Sequence, residues 1–195
     1  MSKDLPTRYH PLQVSFHWLV VVLLLAMFLL GKYMSGLPND TGKLLPLGIH
    51  ITMGVITLVV IIARFIARFR LPQPASANTE HTFLDWVSKI VHYALYALVL
   101  LMAISGISLS LQSGLFPIVF GGSGAALPVD FYAFNARRLH GLVAPALAFP
   151  VMLHVGAALY HQFLLKDKLL ARMWFEKKAR QATQSVTEPS ERARI

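Results

Sequence analysis

Four stretches of this chain contain no Asp, Glu, Lys or Arg: residues 9–31, 44–63, 90–129 and 139–165, of 23, 20, 40 and 27 residues. A helix of about 20 apolar residues crosses the roughly 30 Å of a bilayer's hydrocarbon. The first, second and fourth stretches therefore fit one crossing each. The third is long enough for two, but Ser108, Ser110, Gln112, Ser113, Gly114, Pro117 and the glycine-rich run 121–124 break its second half, which reads as a loop. The expected fold is all-α, an integral membrane four-helix bundle with helices near 14–31, 47–66, 86–111 and 139–165. Charged residues make up only 14% of the 195 positions, against roughly 25% in soluble domains. That composition excludes a disordered chain and fits poorly with an ordinary soluble domain.

Orientation follows from where the cations lie, because loops on the cytoplasmic side carry the excess of Lys and Arg. With the N-terminus inside, that side holds Lys3, Arg8, Arg64, Arg68, Arg70, Lys89 and eight residues of the tail, and the other side only Lys32, Lys43, Arg137 and Arg138. Both termini are expected to be cytoplasmic, with one membrane domain over 1–178 and a polar, disordered tail over 179–195. This asymmetry accounts for most of the formal charge of +9, so no nucleic-acid partner is called for. The apolar run 20–30 is followed by Gly31-Lys32-Tyr33-Met34, a poor cleavage site for a signal peptide, and is expected to be retained.

The chain has no cysteine. Disulfides, thiolate-bound iron–sulfur clusters, Cys-ligated haem and covalent haem attachment are thereby excluded. Eight histidines remain, and a histidine inside a bilayer span marks function by default. His140 and His154 share the fourth helix. Fourteen residues at about 100° and 1.5 Å each put them about 40° apart on one face and about 21 Å apart along the axis. His50, near the outer start of the second helix, matches His140 in depth. His17, near the inner start of the first, matches His154. Each pair joins two helices, as an iron porphyrin clamped by two axial imidazoles requires. The competing reading is a zinc or copper site, which the absence of intramembrane carboxylates and the separation of the pairs disfavour. Small residues such as Gly48, Gly54, Gly106, Gly141 and Gly156 leave room for a macrocycle, although they also serve plain helix packing.

The other histidines read differently. His10 and His81 fall in solvated positions. His92 lies at the inner end of the third helix, and depth alone does not exclude it as the inner ligand. His161 lies seven residues beyond His154 on nearly the same face, suited either to the interface or to a proton-coupled quinone site.

These residues occur in segments that resemble the bacterial cytochrome b561 family. The matching pieces are Val14-Ser-Phe-His-Trp-Leu-Val20, Gly48-Ile-His-Ile-Thr-Met-Gly54 followed by Arg64 and Arg68, and His92-Tyr-Ala-Leu-Tyr96. After them come Arg137-Arg-Leu-His-Gly141 and Leu153-His-Val-Gly-Ala-Ala-Leu-Tyr-His161, leading into Lys166-Asp167. The similarity spans about residues 9–174. The chain departs from the family in the length of the loop between the third and fourth helices and in the tail after Lys177.

The resemblance implies a four-helix dihaem cytochrome of the bacterial inner membrane. It places His17, His50, His140 and His154 on the four axial-ligand positions of two non-covalent b-type haems and leaves His92 as a non-ligand. It also implies electron transfer to or from the quinone pool. One branch of the family is similar to a superoxide oxidase with ubiquinone as acceptor. Another supplies b-type membrane anchors for a partner dehydrogenase or hydrogenase. Two features of this chain bear on such a reading. Arg64, fourteen residues after His50, falls at the depth of the inner pair, within reach of a haem propionate or a lipid headgroup. Lys32, Lys43, Arg137 and Arg138 outnumber Asp40 and Asp130 at the outer face, a surplus that attracts an anion such as superoxide.

Overall fold

The computed structural model describes residues 6–74, 82–167 and 169–175. His81 and the tail over 179–195 lie outside them. Helix α1 spans Pro11–Ser35. It begins where His10 Nδ1 accepts the Leu12 N–H at 3.2 Å, with Pro11 at the first position, where its missing N–H costs nothing. It ends at Gly36, whose N–H returns to the last turn. A single turn over Thr41–Lys43, capped by the Asp40 carboxylate, leads into α2, Leu44–Arg70. That helix stops at Leu71, which is extended ahead of Pro72, as a residue preceding proline prefers.

Helix α3 spans Thr82–Gln112 and gives way at Gly114, whose φ of 65° only glycine adopts without strain. A short helix α4, Leu115–Val119, follows where the sequence suggests only loop. Its Leu115 is buried and anchors the turn against the bundle. Helix α5 spans Asn135–Tyr160, carries Pro145 and Pro150, and widens into a π-turn over His161–Leu165. Prolines persist in membrane helices because neighbouring groups satisfy the carbonyls they free. The last described element is a single turn, α6, Leu169–Arg172.

Four of these helices are long and apolar enough to cross a membrane. Each extends beyond its charge-free core, because Lys32, Arg64, Arg68 and Arg70 continue the backbone ladder while their long side chains reach polar surroundings. Large apolar side chains such as Leu25, Leu29, Val59 and Leu142 lie on the outside, as expected of a surface solvated by lipid.

Backbones pack closely between α1 and α2, α2 and α3, and α3 and α5. The buried core is a band across the waist: Val20 and Leu23 from α1, Val60 and Ile61 from α2, Val99 from α3 and Leu147 from α5. It lies midway between His140 and His154 along α5, and it separates an upper end, near the α1–α2 turn, from a lower end. At the lower end Trp18 Nε1 donates to the Met173 carbonyl at 2.8 Å, Trp18 packs edge-on against Trp174, and the Tyr9 N–H reaches the Arg172 carbonyl. These contacts fold α6 back onto the start of α1.

Because Leu147 is fully buried in the waist, Leu147→Ala should cost about 2–5 kcal/mol, the range for a buried large-to-small change. Leu142→Ala, on the lipid face, should stay within roughly 0.5 kcal/mol. Thermal unfolding of the two purified variants in the same detergent checks the contrast.

Candidate cofactor site

Helix α5 is not among the helix pairs packed closely with α1 or α2. What spans those gaps is imidazole. Above the waist, the rings of His50 and His140 have centroids 6.2 Å apart at 71°. Below it, those of His17 and His154 are 6.1 Å apart at 77°. The pairs read from helical rise are thus brought together, each joining α5 to a second helix.

The upper pair is built in detail. Ser105, buried on α3, lies with its Oγ 3.0 Å from His140 Nδ1 and donates its single proton to the Met102 carbonyl at 2.9 Å. Its oxygen is then left to accept from His140, which fixes the proton on Nδ1 and leaves Nε2 with a free lone pair. Such an outer hydrogen bond is what orients a ligating imidazole. His50 Nδ1 is buried without a hydrogen-bond partner among the described residues. Glycines flank both rings: a Cβ on Gly106 would sit 3.2 Å from His140 Cε1, and one on Gly31 3.6 Å from His50 Cε1. Beside the rings lies a cavity of about 520 Å³, reaching from the waist at Leu147 to a mouth that includes Lys32, Lys43, Tyr132 and Arg137. That volume is within the roughly 300–1,000 Å³ of small-molecule and cofactor sites.

Of Lys32, Lys43, Arg137 and Arg138, the first three line this mouth; Arg138 instead donates to the Tyr132 carbonyl at 3.0 Å. Arg137 lies over the Tyr132 ring, 4.7 Å from its centre. Asp40 and Asp130 each use a carboxylate oxygen to cap a turn, and neither forms an ion pair with these cations among the described residues. The mouth keeps its positive surplus.

The lower end holds three imidazoles. His92 packs edge-on against His154 at 5.1 Å, and its Nδ1 meets the Ser88 carbonyl at 2.6 Å. Arg64 Nη1 donates to the Gln13 carbonyl at 3.0 Å. A cavity of about 40 Å³ lies between Arg64, Arg68, His92 and Met173. Farther out, His161 Nδ1 bonds the Asp167 carboxylate. Burial acts against ionisation of Asp167. The hydrogen bonds from His161 and the Leu169 N–H, with Arg172 nearby, nonetheless hold its carboxyl below the usual carboxylate range.

Ring spacing tests whether these pairs suit an ion held between two imidazoles. A metal–nitrogen bond of about 2.0–2.1 Å, plus roughly 1.1 Å from nitrogen to ring centre, sets trans imidazole centroids about 6.3 Å apart. The upper and lower pairs meet that span at 6.2 and 6.1 Å, and the His92–His154 contact falls short of it at 5.1 Å. Among the described residues no group of three or more His, Asp or Glu is arranged to hold a bare ion. Two protein donors per level suit a metal whose other positions are filled by a macrocycle. Ser105, the hydroxyl that orients His140, is a site residue sequence reasoning missed; a serine beside a glycine in an apolar helix was its only sign.

Known proteins resemble the chain over most of its length. Residues 8–176 match the family described as prokaryotic cytochrome b561. The chain is 28% identical over 173 residues to a Yersinia pestis protein named "Probable superoxide oxidase CybB", covering 88% of this chain and 98% of that one. It is 28% identical over 176 residues to cytochrome b561 homolog 2 of Escherichia coli K12, covering 86% and 92%. It is 29% identical over 170 residues to cytochrome b562 of Cereibacter sphaeroides, covering 85% and 94%. With four membrane-crossing helices and a family match over most of its length, the chain belongs to the prokaryotic cytochrome b561 family, multi-pass bacterial membrane proteins that bind b-type haem and transfer electrons.

Proposed function

We propose that the chain carries two non-covalent b-type haems, one between His50 and His140 and one between His17 and His154, and moves electrons across the bacterial inner membrane to or from quinone. The observation that carries this reading is the pair of 6.2 and 6.1 Å imidazole spacings, one on each side of the waist. Along α5 the two levels stand about 21 Å apart. With both termini cytoplasmic, the upper pair is the outer one. Haem iron, when bound, supplies reversible one-electron chemistry; the protein supplies ligation, burial and nearby charge.

The residues at each end divide the remaining tasks. Lys32, Lys43 and Arg137 make the outer mouth attractive to a small anion and raise its local concentration. Superoxide fits that description, and it is the substrate class named for the Yersinia pestis relative. At the inner end, His161 and Asp167 form a hydrogen-bonded pair at the interface. An imidazole held by a carboxylate there can pass protons to and from a quinone headgroup, which takes up protons when reduced.

The purified protein should show reduced-minus-oxidised b-type bands and two haems per chain. His17→Ala and His154→Ala should each deplete one spectral component, and His50→Ala and His140→Ala the other, halving the haem content. His92→Ala should keep both. Loss of a haem on His92→Ala, with retention on His17→Ala, would falsify the inner pairing.

Ser105→Ala removes the partner of His140 Nδ1, and such outer partners are worth roughly 10–100-fold in metal affinity. The component lost with His140→Ala should bind haem that much more weakly, while Ser105→Thr keeps it. Haem retention on dilution measures the difference, and equal retention in all three proteins refutes the role.

Arg137→Gln should slow superoxide-driven haem reduction about two- to five-fold at low ionic strength, with the effect fading as salt screens it. Arg138→Gln, away from the mouth, should change the rate less. Stopped-flow reduction at two salt concentrations separates steering from general damage, which would persist at high salt.

A further inference from the structure

We propose that Arg64 and Arg68 form an oxyanion site at the lower end of the bundle, sized for one carboxylate or phosphate group. The two arginines stand four residues apart on α2, and this spacing puts them on one face. Arg64 points inward, with Nη1 on the Gln13 carbonyl and Tyr96 beside the same small cavity. A guanidinium carries five N–H donors, so several remain. No carboxylate pairs with either arginine among the described residues; the ion pair found there is His161–Asp167.

The surroundings hold this arrangement in place. Gln13 is buried and uses its amide nitrogen on the Ala67 carbonyl at 3.1 Å. Gln73 uses its own on the Arg68 and Leu71 carbonyls. Tyr9 and Met173 close the side toward the chain ends, leaving a cavity of about 40 Å³. A water's share of liquid volume is about 30 Å³, so the space admits one small polar group. Two cations lining one half-buried pocket, with no carboxylate paired to them among the described residues, favour an anion between them. An arginine serving orientation alone would extend to the headgroups instead of bonding a carbonyl on the neighbouring helix.

Two sources supply such an oxyanion. One is a propionate of the haem proposed between His17 and His154, a version that rests on the function proposed above. The other is the phosphate of a bound phospholipid, which does not.

The test compares purified holoprotein with Arg64→Gln, Arg64→Lys and Arg68→Gln, following each haem component by redox titration and tightly held phospholipid by phosphorus assay. With a propionate in the site, Arg64→Gln lowers the midpoint of the His17/His154 component alone. Reduction there becomes up to about ten-fold less favourable, 59 mV for one electron. Arg64→Lys recovers most of the loss, and Arg68→Gln gives a smaller shift of the same component. With a lipid phosphate, both midpoints hold, and the Gln variants lose a phospholipid that the parent and Arg64→Lys retain.

Midpoints and retained lipid unchanged in all variants would overturn the site, as would equal shifts of both components. If Arg64→Gln does not accumulate, Arg64→Lys and Arg68→Gln decide by the same two readouts. A preparation without haem bands refutes the function proposed above, while the phosphorus assay still decides the site.

Discussion

Side chains, rather than close backbone packing, join α5 to α1 and α2: the aliphatic waist midway, and an imidazole pair on either side of it. The other neighbouring helices approach through small and aliphatic side chains; across these two gaps stand His17–His154 and His50–His140. Inside lipid, helices gain little by hiding apolar surface from one another, because the tails are equally apolar. A gap spanned by two polar rings suits a polar or metal-bearing group that satisfies their nitrogens. His50 Nδ1 is itself buried without a hydrogen-bond partner among the described residues. The waist of Val20, Leu23, Val60, Ile61, Val99 and Leu147 keeps the two levels apart, so each pair acts as a separate site on a shared scaffold.

The two ends of the bundle are dressed differently. The upper level opens through a wide cavity to Lys32, Lys43 and Arg137, with Asp40 and Asp130 committed to turns. At the lower level α6 folds back through Trp18, Trp174 and Tyr9, beside a small polar space. An open cationic mouth suits diffusional encounter with a small anion. A covered end beside a half-buried arginine suits fixed tuning of whatever the lower pair holds.

Much of this was legible in the sequence, because membrane architecture obeys a short list of constraints. Charge-free length marks a crossing, and helical rise converts the fourteen residues between His140 and His154 into two depths. His50 then follows as the partner of His140 by position, and His17, with His92 as a rival, as that of His154. Helix ends were less legible, since absence of charge marks the hydrocarbon and not the hydrogen-bond ladder; Arg64, Arg68 and Arg70 all continue α2. The short α4 was hidden among Ser, Gly and Pro, because its cause is tertiary: Leu115 buries against the bundle. Ser105 was hidden for a similar reason, since its role depends on a ring that approaches from another helix.

His92 shows where sequence and geometry divide the work. Depth placed it beside His154 as a rival to His17, and nothing in the spacing of residues could separate the two. Ring distance supports the proposed pairing: His17–His154 stands at 6.1 Å, near the span of about 6.3 Å that an ion between two imidazoles imposes, and His92–His154 at 5.1 Å. With Nδ1 committed to the Ser88 carbonyl, His92 packs its ring against the edge of His154 and restricts how that ring can turn. In the proposed arrangement this third histidine orients His154 from α3, in the place that Ser105 takes toward His140 at the other level. The levels share a plan, a pair of facing imidazoles with one steadied from α3, executed by a hydroxyl above and by an aromatic edge below.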